Sequence, residues 1–160
     1  MAEQRSWLPL VAVIIIAIAT LGLLFWALHR AGAAPQVKSY RETMSESALQ
    51  SLMHDDERIY KGRQLFTHNC TLCHGTQGQG LVGPNLRDEY WLRGGTLQHI
   101  SESIANGNPA RGMAAWSPVL SQDDIHALVA YIVSLQGTED GSGKVPEGVH
   151  APMSWLQNTP

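Results

Sequence analysis

Cys70-Thr71-Leu72-Cys73-His74 is the stretch that decides the reading of this chain. Two thiols two residues apart, followed at once by a histidine, form the attachment pattern of a c-type haem. The spacing has a mechanical basis. Cysteines one turn apart reach the two vinyl edges of one porphyrin as thioethers, and His74 is then carried beneath the iron as an axial ligand. The 160 residues contain no other cysteine, which weakens the competing readings. A structural zinc site takes about four Cys or His ligands, usually as two separated pairs, and there is no second pair. A thioredoxin-like centre sits among alternating strands and helices, a pattern missing around residues 60 to 100. A plain disulfide is the remaining structural alternative.

Outward from the motif the periodicity is helical. Ile59, Leu65 and Phe66, with charged residues between them, predict a helix that ends just before Cys70. Gly75 to Pro84 reads as a turn-rich loop. Thr96 is the expected N-cap of a helix through Ala105, with Leu97, Ile100 and Ile104 on one face and Gly107 after its end. Ser121 and Asp124 have the spacing of a capping box, and Ile125, Leu128, Val129, Ile132 and Val133 make the stripe of a last helix ended by Gly137. No stretch sustains period-two alternation. The expected domain, 54-137, is therefore all-α, with three to four helices around one covalent haem. A chain of about 84 residues makes a marginal core alone, and the flat apolar ring gives it a body to pack against.

His74 should give one ring nitrogen to iron and its other N–H to a carbonyl that fixes the ring. Pro84, in Gly83-Pro84-Asn85-Leu86, is the expected source, because it lacks an N–H and holds its backbone rigidly. The sixth ligand is read as Met113. Its sulfur is soft and favours ferrous iron, and Gly107 to Gly112 supplies an irregular loop able to lay a side chain across a haem face. Met1, Met44, Met53 and Met153 lie outside that arrangement. His54, His68, His99, His126 and His150 are the alternatives for bis-histidine ligation, and they are read as surface residues, His99 and His126 falling off their apolar stripes. Arg111 and Trp116 are candidate haem contacts, the first through a propionate, with Tyr90 and Trp91 packing near the ring edge.

Much of the apolar content lies at the amino terminus. Leu8 to Leu28 carries no charge, and at about 1.5 Å per residue it makes a helix of roughly 31 Å, the thickness of the hydrocarbon layer. It is expected to span a membrane as a retained anchor, 1-30. Ala31-Gly32-Ala33 before Ala34-Pro35 resembles a processing site, but the apolar run exceeds the roughly 7 to 15 residues of a signal peptide. Residues 31-53, rich in Ala, Ser, Gln and Glu, read as a tether. Residues 138-160, rich in Gly and Pro, read as an irregular tail in which Trp155-Leu156 is the one candidate anchor onto a partner. The net charge of -3, without a basic stripe, points away from nucleic acid.

The order of Cys-x-x-Cys-His, Gly-Pro-Asn-Leu and a methionine before the final helix, over roughly Asp55 to Gln136, resembles class I cytochromes c. Gly83-Pro84-Asn85-Leu86-Arg87-Asp88-Glu89-Tyr90-Trp91-Leu92 and Gly112-Met113-Ala114-Ala115-Trp116 are similar to the haem c subunit of C-family (cbb-type) haem-copper oxidases. Two departures stand out. That subunit normally has two attachment motifs where this chain has one, and its methionine loop commonly has proline where Ala114 stands. The resemblance implies a monohaem, membrane-anchored electron carrier or electron-transfer subunit of a respiratory or photosynthetic complex, not an enzyme by itself. It implies redox partner proteins, among them subunits of a membrane oxidoreductase or terminal oxidase. It also implies a bacterial cytoplasmic membrane with the amino terminus inside and the haem domain on the periplasmic face. Arg30, Lys38 and Arg41, against Arg5 alone, run counter to the positive-inside tendency. Two other classes stay open on the residues: a haem enzyme or gas sensor with a displaceable sixth ligand, and a docking subunit with structural haem.

Overall fold

The computed structural model describes residues 7–31 and 39–153, and the chain divides into two units between Lys38 and Ser39. The first is helix α1, Leu8–Ala31. An 18-residue window within Leu8–Arg30 has a mean hydropathy of 2.8, and every described side chain along the helix is exposed. A helix apolar on all sides needs lipid or protein around it. His29 and Arg30 occupy its last turn, where the helix dipole favours cations, and the Arg30 guanidinium lies 4.5 Å from the Trp26 ring centre. Arg5, Lys38 and the Gly32-Ala33-Ala34-Pro35 part of the candidate processing site fall outside the described residues.

The second unit is helical apart from one short strand pair. Its elements are α2 (Glu46–Gln50), α3 (Asp56–Asn69), α4 (Thr71–His74), β1 (Tyr90–Trp91), α5 (Leu97–Asn106), a 3-10 turn (Pro109–Arg111), α6 (Gln122–Ser134) and β2 (Val149–His150). Local chemistry sets the helix starts. Asp55 accepts from the N–H groups of Glu57 and Arg58, Thr96 from His99, and Ser121 and Asp124 form a reciprocal capping box. The main packing is α3 on α6. Gly62 makes it close: a Cβ there would come within 1.9 Å of the Ala127 carbonyl oxygen. One turn on, the rings of Phe66 and Tyr131 meet at 5.2 Å. α5 also packs on α6, giving a core that includes Ile100, Ile104, Leu128 and Ile132.

Three expectations change. The tether expected over 31-53 is part of the domain from Ser39 onward. Leu49 and Met53 are fully buried, Tyr40 and Met44 pack on the core, and the Glu46 carboxylate accepts from the Leu97 and Gln98 N–H groups, capping α5 from outside. A helix N-terminus attracts such an anion. The tail expected to be irregular from Thr138 is fastened as far as Met153, which is 5% exposed. Glu139 bonds Asn85, Asp140 lies 2.5 Å from the buried Arg87, and β2 pairs antiparallel with β1. Trp155-Leu156 lies outside the described residues. Finally, His126 is buried, with its Nε2 2.8 Å from the Glu42 carboxylate. It is a polar member of an otherwise apolar helix face that finds its partner in the segment read as tether.

Candidate functional site

Cys70 caps α3, and the one-turn helix α4 carries Cys73 and His74 directly after it. The loop beyond folds back on this turn. The Leu81 and Gly83 N–H groups both donate to the Cys73 carbonyl, at 3.1 and 2.9 Å, and the Gly80 N–H donates to the His74 carbonyl at 2.8 Å. That return brings the Pro84 carbonyl to 3.0 Å from His74 Nδ1. An Nδ1–H donated there leaves Nε2 as the lone-pair nitrogen, the arrangement that orients a metal-binding imidazole. Burial pushes His74 below its ordinary pKa, favouring the neutral form that ligates. Burial, then the neighbouring Cys73, pushes the Cys70 thiol up to about 11.

Gly83 makes this approach possible, since a Cβ at that position would lie 2.8 to 3.1 Å from three atoms of the His74 ring. Gly83→Ala is expected to displace the imidazole and reduce haem retained per polypeptide several-fold. Soret absorbance divided by protein concentration checks this.

The His74 ring opens onto a cavity of about 350 Å³, within the range of small-molecule and cofactor sites. Its wall is mainly apolar, with Phe66, Leu86, Ile100, Ile104, Leu128 and Ile132 among the lining residues. Cys70, Cys73, Pro84, Arg111, Met113 and Trp116, the residues singled out in the sequence, line it with His74. Among the described residues, Met113 is the one methionine and His74 the one histidine on that wall. Met44, Met53 and Met153 lie in or against the core, and Met1 is outside the described residues. His54, His68, His99 and His150 are exposed.

Met113 is held by its own loop. The Asn108 and Met113 backbones bond each other in both directions, at 2.9 and 3.1 Å, across the 3-10 turn. Gly112 reverses the chain there at φ 79°, a left-handed conformation that a side chain disfavours. The loop's exit is tied to α5 by the Trp116 and Ser117 N–H groups, which donate to the Ile104 and Ala105 carbonyls.

The structure adds residues the sequence did not single out. Arg93 lines the cavity and donates to the Gly107 carbonyl at 2.6 Å, and Glu147 reaches the wall from the C-terminal segment. Trp91, read as packing, has its indole N–H buried without a hydrogen-bond partner among the described residues. A buried unpaired donor is rare. An apolar slot whose lining includes paired cysteines, a histidine, a methionine, an unpaired N–H and two arginines fits a haem c with its carboxylates, so the residues present suit the group.

Residues 57–132 match the family model described as cytochrome C oxidase, cbb3-type, subunit III. The chain is similar to the Cbb3-type cytochrome c oxidase subunit CcoP of Azospirillum sp. (strain B510), 38% identical over 100 residues covering 54% of this chain and 34% of that one. It is also similar to subunit FixP of Azorhizobium caulinodans, 42% identical over 88 residues, 52% of this chain and 29% of the relative. The chain thus spans about a third of the length of these curated relatives. Among solved structures it resembles cytochrome cL of Methylophaga aminisulfidivorans, with a TM-score of 0.51 at 26% identity over 61% of this chain and 72% of that one. Cytochrome cL of Hyphomicrobium denitrificans gives a TM-score of 0.50 at 25% identity over 79% and 77%.

Proposed function

From the premise that the chain is a c-type cytochrome, similar over residues 57–132 to subunit III of cbb3-type oxidases, we propose that it is a membrane-tethered one-electron carrier or electron-transfer subunit. The single observation that carries this is the cavity wall, where one histidine and one methionine stand among apolar side chains beside the two cysteines. When bound, haem c would supply an iron that gains and loses one electron.

In this reading Cys70 and Cys73 would hold the ring covalently, and His74 and Met113 would ligate its iron. The Pro84 carbonyl orients His74, while Arg111 and Trp116 contact the ring's periphery. The chain makes and breaks no substrate bond. Beside Cys73, Leu72, Leu81 and Val82 are exposed at 86%, 56% and 80%. Apolar side chains on the surface next to a redox centre give a partner protein a dry, close approach. The partners in this reading are subunits of a membrane oxidoreductase or terminal oxidase. α1 is the anchor in a bacterial cytoplasmic membrane, with the amino terminus in the cytoplasm and the haem domain on the periplasmic side. Only residues 32–38 separate the anchor helix from the domain.

The test is an absorption spectrum of the detergent-extracted full chain, oxidised and reduced, before and after carbon monoxide. The expected result is a weak near-infrared sulfur-to-iron band in the oxidised protein and no change on adding the gas. Immediate binding of carbon monoxide, with the band absent, would sink the carrier reading and leave catalysis or sensing.

A further inference from the structure

The C-terminal segment does more than pack. Lys144 and Glu147 fasten it across the edge of the cavity, each to a different lip. On one side the Lys144 ammonium donates to the Val82 carbonyl at 3.1 Å and lies 3.5 Å from that of Gly83, and the Lys144 N–H donates to the Gln79 carbonyl at 2.8 Å. This is the lip that presses on the His74 ring and presents the Pro84 carbonyl to it. On the other side the Arg111 guanidinium donates to Glu147 Oε2 at 3.1 Å, two residues before Met113. Glu147 joins the two, because its Oε1 lies 2.5 Å from the Lys144 ammonium. Both flanks are anchored elsewhere, by Arg87 with Asp140 before it and by the β1–β2 pair after it. The result is a short strap whose one acidic residue pairs with Arg111 of the methionine loop and with the strap's own Lys144, which in turn bonds the lip beside His74.

We propose that Glu147 is a positioning residue for Met113: through Arg111 and Lys144 it ties the methionine loop to the lip that holds His74, and so sets how readily an outside ligand replaces the methionine sulfur. The inference rests on the reading of Met113 as the sixth ligand. The turn carrying Met113 is closed locally by its bonds to Asn108 and at its exit by α5. Arg111, at the turn's outer corner and 57% exposed, has Glu147 as the acidic partner that restrains it. Loss of that partner frees the corner to swing outward with the sulfur.

Partly exposed ion pairs contribute modestly, so the expected effect is kinetic and of limited size. In the oxidised, detergent-extracted full chain, imidazole displaces the sulfur at a rate read from decay of the near-infrared band. Glu147→Gln should raise that rate about three- to tenfold. Raising salt should accelerate displacement in the wild type and leave the variant nearly flat, because ions screen the triad. Glu57→Gln, an acid-to-amide change on the exposed face of α3, should match the wild type. An unchanged rate in Glu147→Gln, or equal salt dependence in both proteins, overturns the proposal; this includes the case in which the haem carboxylates, which Arg111 also faces, restrain it without need of Glu147. Where Glu147→Gln fails to take up haem, a wild-type rate independent of salt overturns it equally. Absence of the band in the wild type is the separate signature that the Met113 reading has failed.

Discussion

Met113→His is expected to lower the midpoint potential by a few hundred millivolts and to erase the near-infrared band, while leaving the fold in place. Axial ligands move haem potentials over roughly 0.8 V. A thioether is a soft, weak donor that favours the ferrous state, and an imidazole favours the ferric. The structure indicates why the effect should be confined to the metal. The loop is shaped by backbone bonds between Asn108 and Met113, by Gly112 and by the ties of residues 116 and 117 to α5, none of which needs the thioether. Met113→Ala should go further by opening the position, so that the reduced protein binds carbon monoxide at once. No described histidine other than His74 lines the cavity to take its place. A potentiometric titration of the full chain checks the first variant and difference spectra the second. A shift of a few tens of millivolts or less, together with no gas binding by Met113→Ala, would remove Met113 from the iron and reassign the sixth position.

The parts of this architecture visible in the sequence are those set by local chemistry. Cys70, Cys73 and His74 are bound by spacing to one turn, and Thr96, Ser121 and Asp124 act within three residues of themselves. Such features survive being read one segment at a time. The misread stretches depend on partners far along the chain. Residues 39–53 show little apolar periodicity because their fastening is polar: Tyr40 exchanges backbone bonds with the Asn106 side chain, and Glu42 and Glu46 reach α5 and α6. An acidic residue in an Ala- and Ser-rich stretch looks solvated until its acceptors' partners are known. His126 looks exposed in the sequence for the complementary reason, its partner being 84 residues away. The tail has the same character, since two-residue strands carry no pattern and β2 exists only because β1 is there to pair with it. The cavity residues Arg93 and Glu147 come from two loops far apart in the sequence, so only the folded chain assembles them.

The buried Glu42 carries the second large prediction. Its Oε2 accepts from the Tyr40 hydroxyl, the Ser101 hydroxyl and His126 Nε2 at 2.7 to 2.8 Å, and its Oε1 from the Thr43 and Met44 N–H groups and the Gln122 amide at 2.8 to 3.2 Å. Burial alone would raise the carboxyl, but the Met44 N–H and then Tyr40, His126 and Ser101 outweigh it and bring it from 4.5 down to about 2. Burial above all holds the Tyr40 phenol up at about 12, so that it stays a donor. A carboxyl depressed on folding adds stability that is fully present above its unfolded value and is lost as pH falls through the folded one. The window here is therefore from about pH 4.5 down to about 2, and at 1.36 kcal/mol per unit the contribution is on the order of 3 kcal/mol. Glu42→Gln replaces an acceptor of six bonds by a group that must place its own NH₂ among donors, and breaking a buried charged network costs about 3 to 5 kcal/mol. The variant is expected to melt roughly 10 °C lower at neutral pH. The gap should narrow as pH falls from 4.5 toward 2, where the wild type loses what the variant already lacks. Asp123, Asp124 and Glu139 also titrate low, but they do so in both proteins and cancel in the comparison. Thermal melts of wild type and Glu42→Gln at several pH values decide the matter. A gap independent of pH would show that the carboxylate's charge is not what fastens residues 39–53 to the helices behind the haem cavity. A gap that closes in acid would make those residues a wall of the redox domain, held by one anion against α5 and α6.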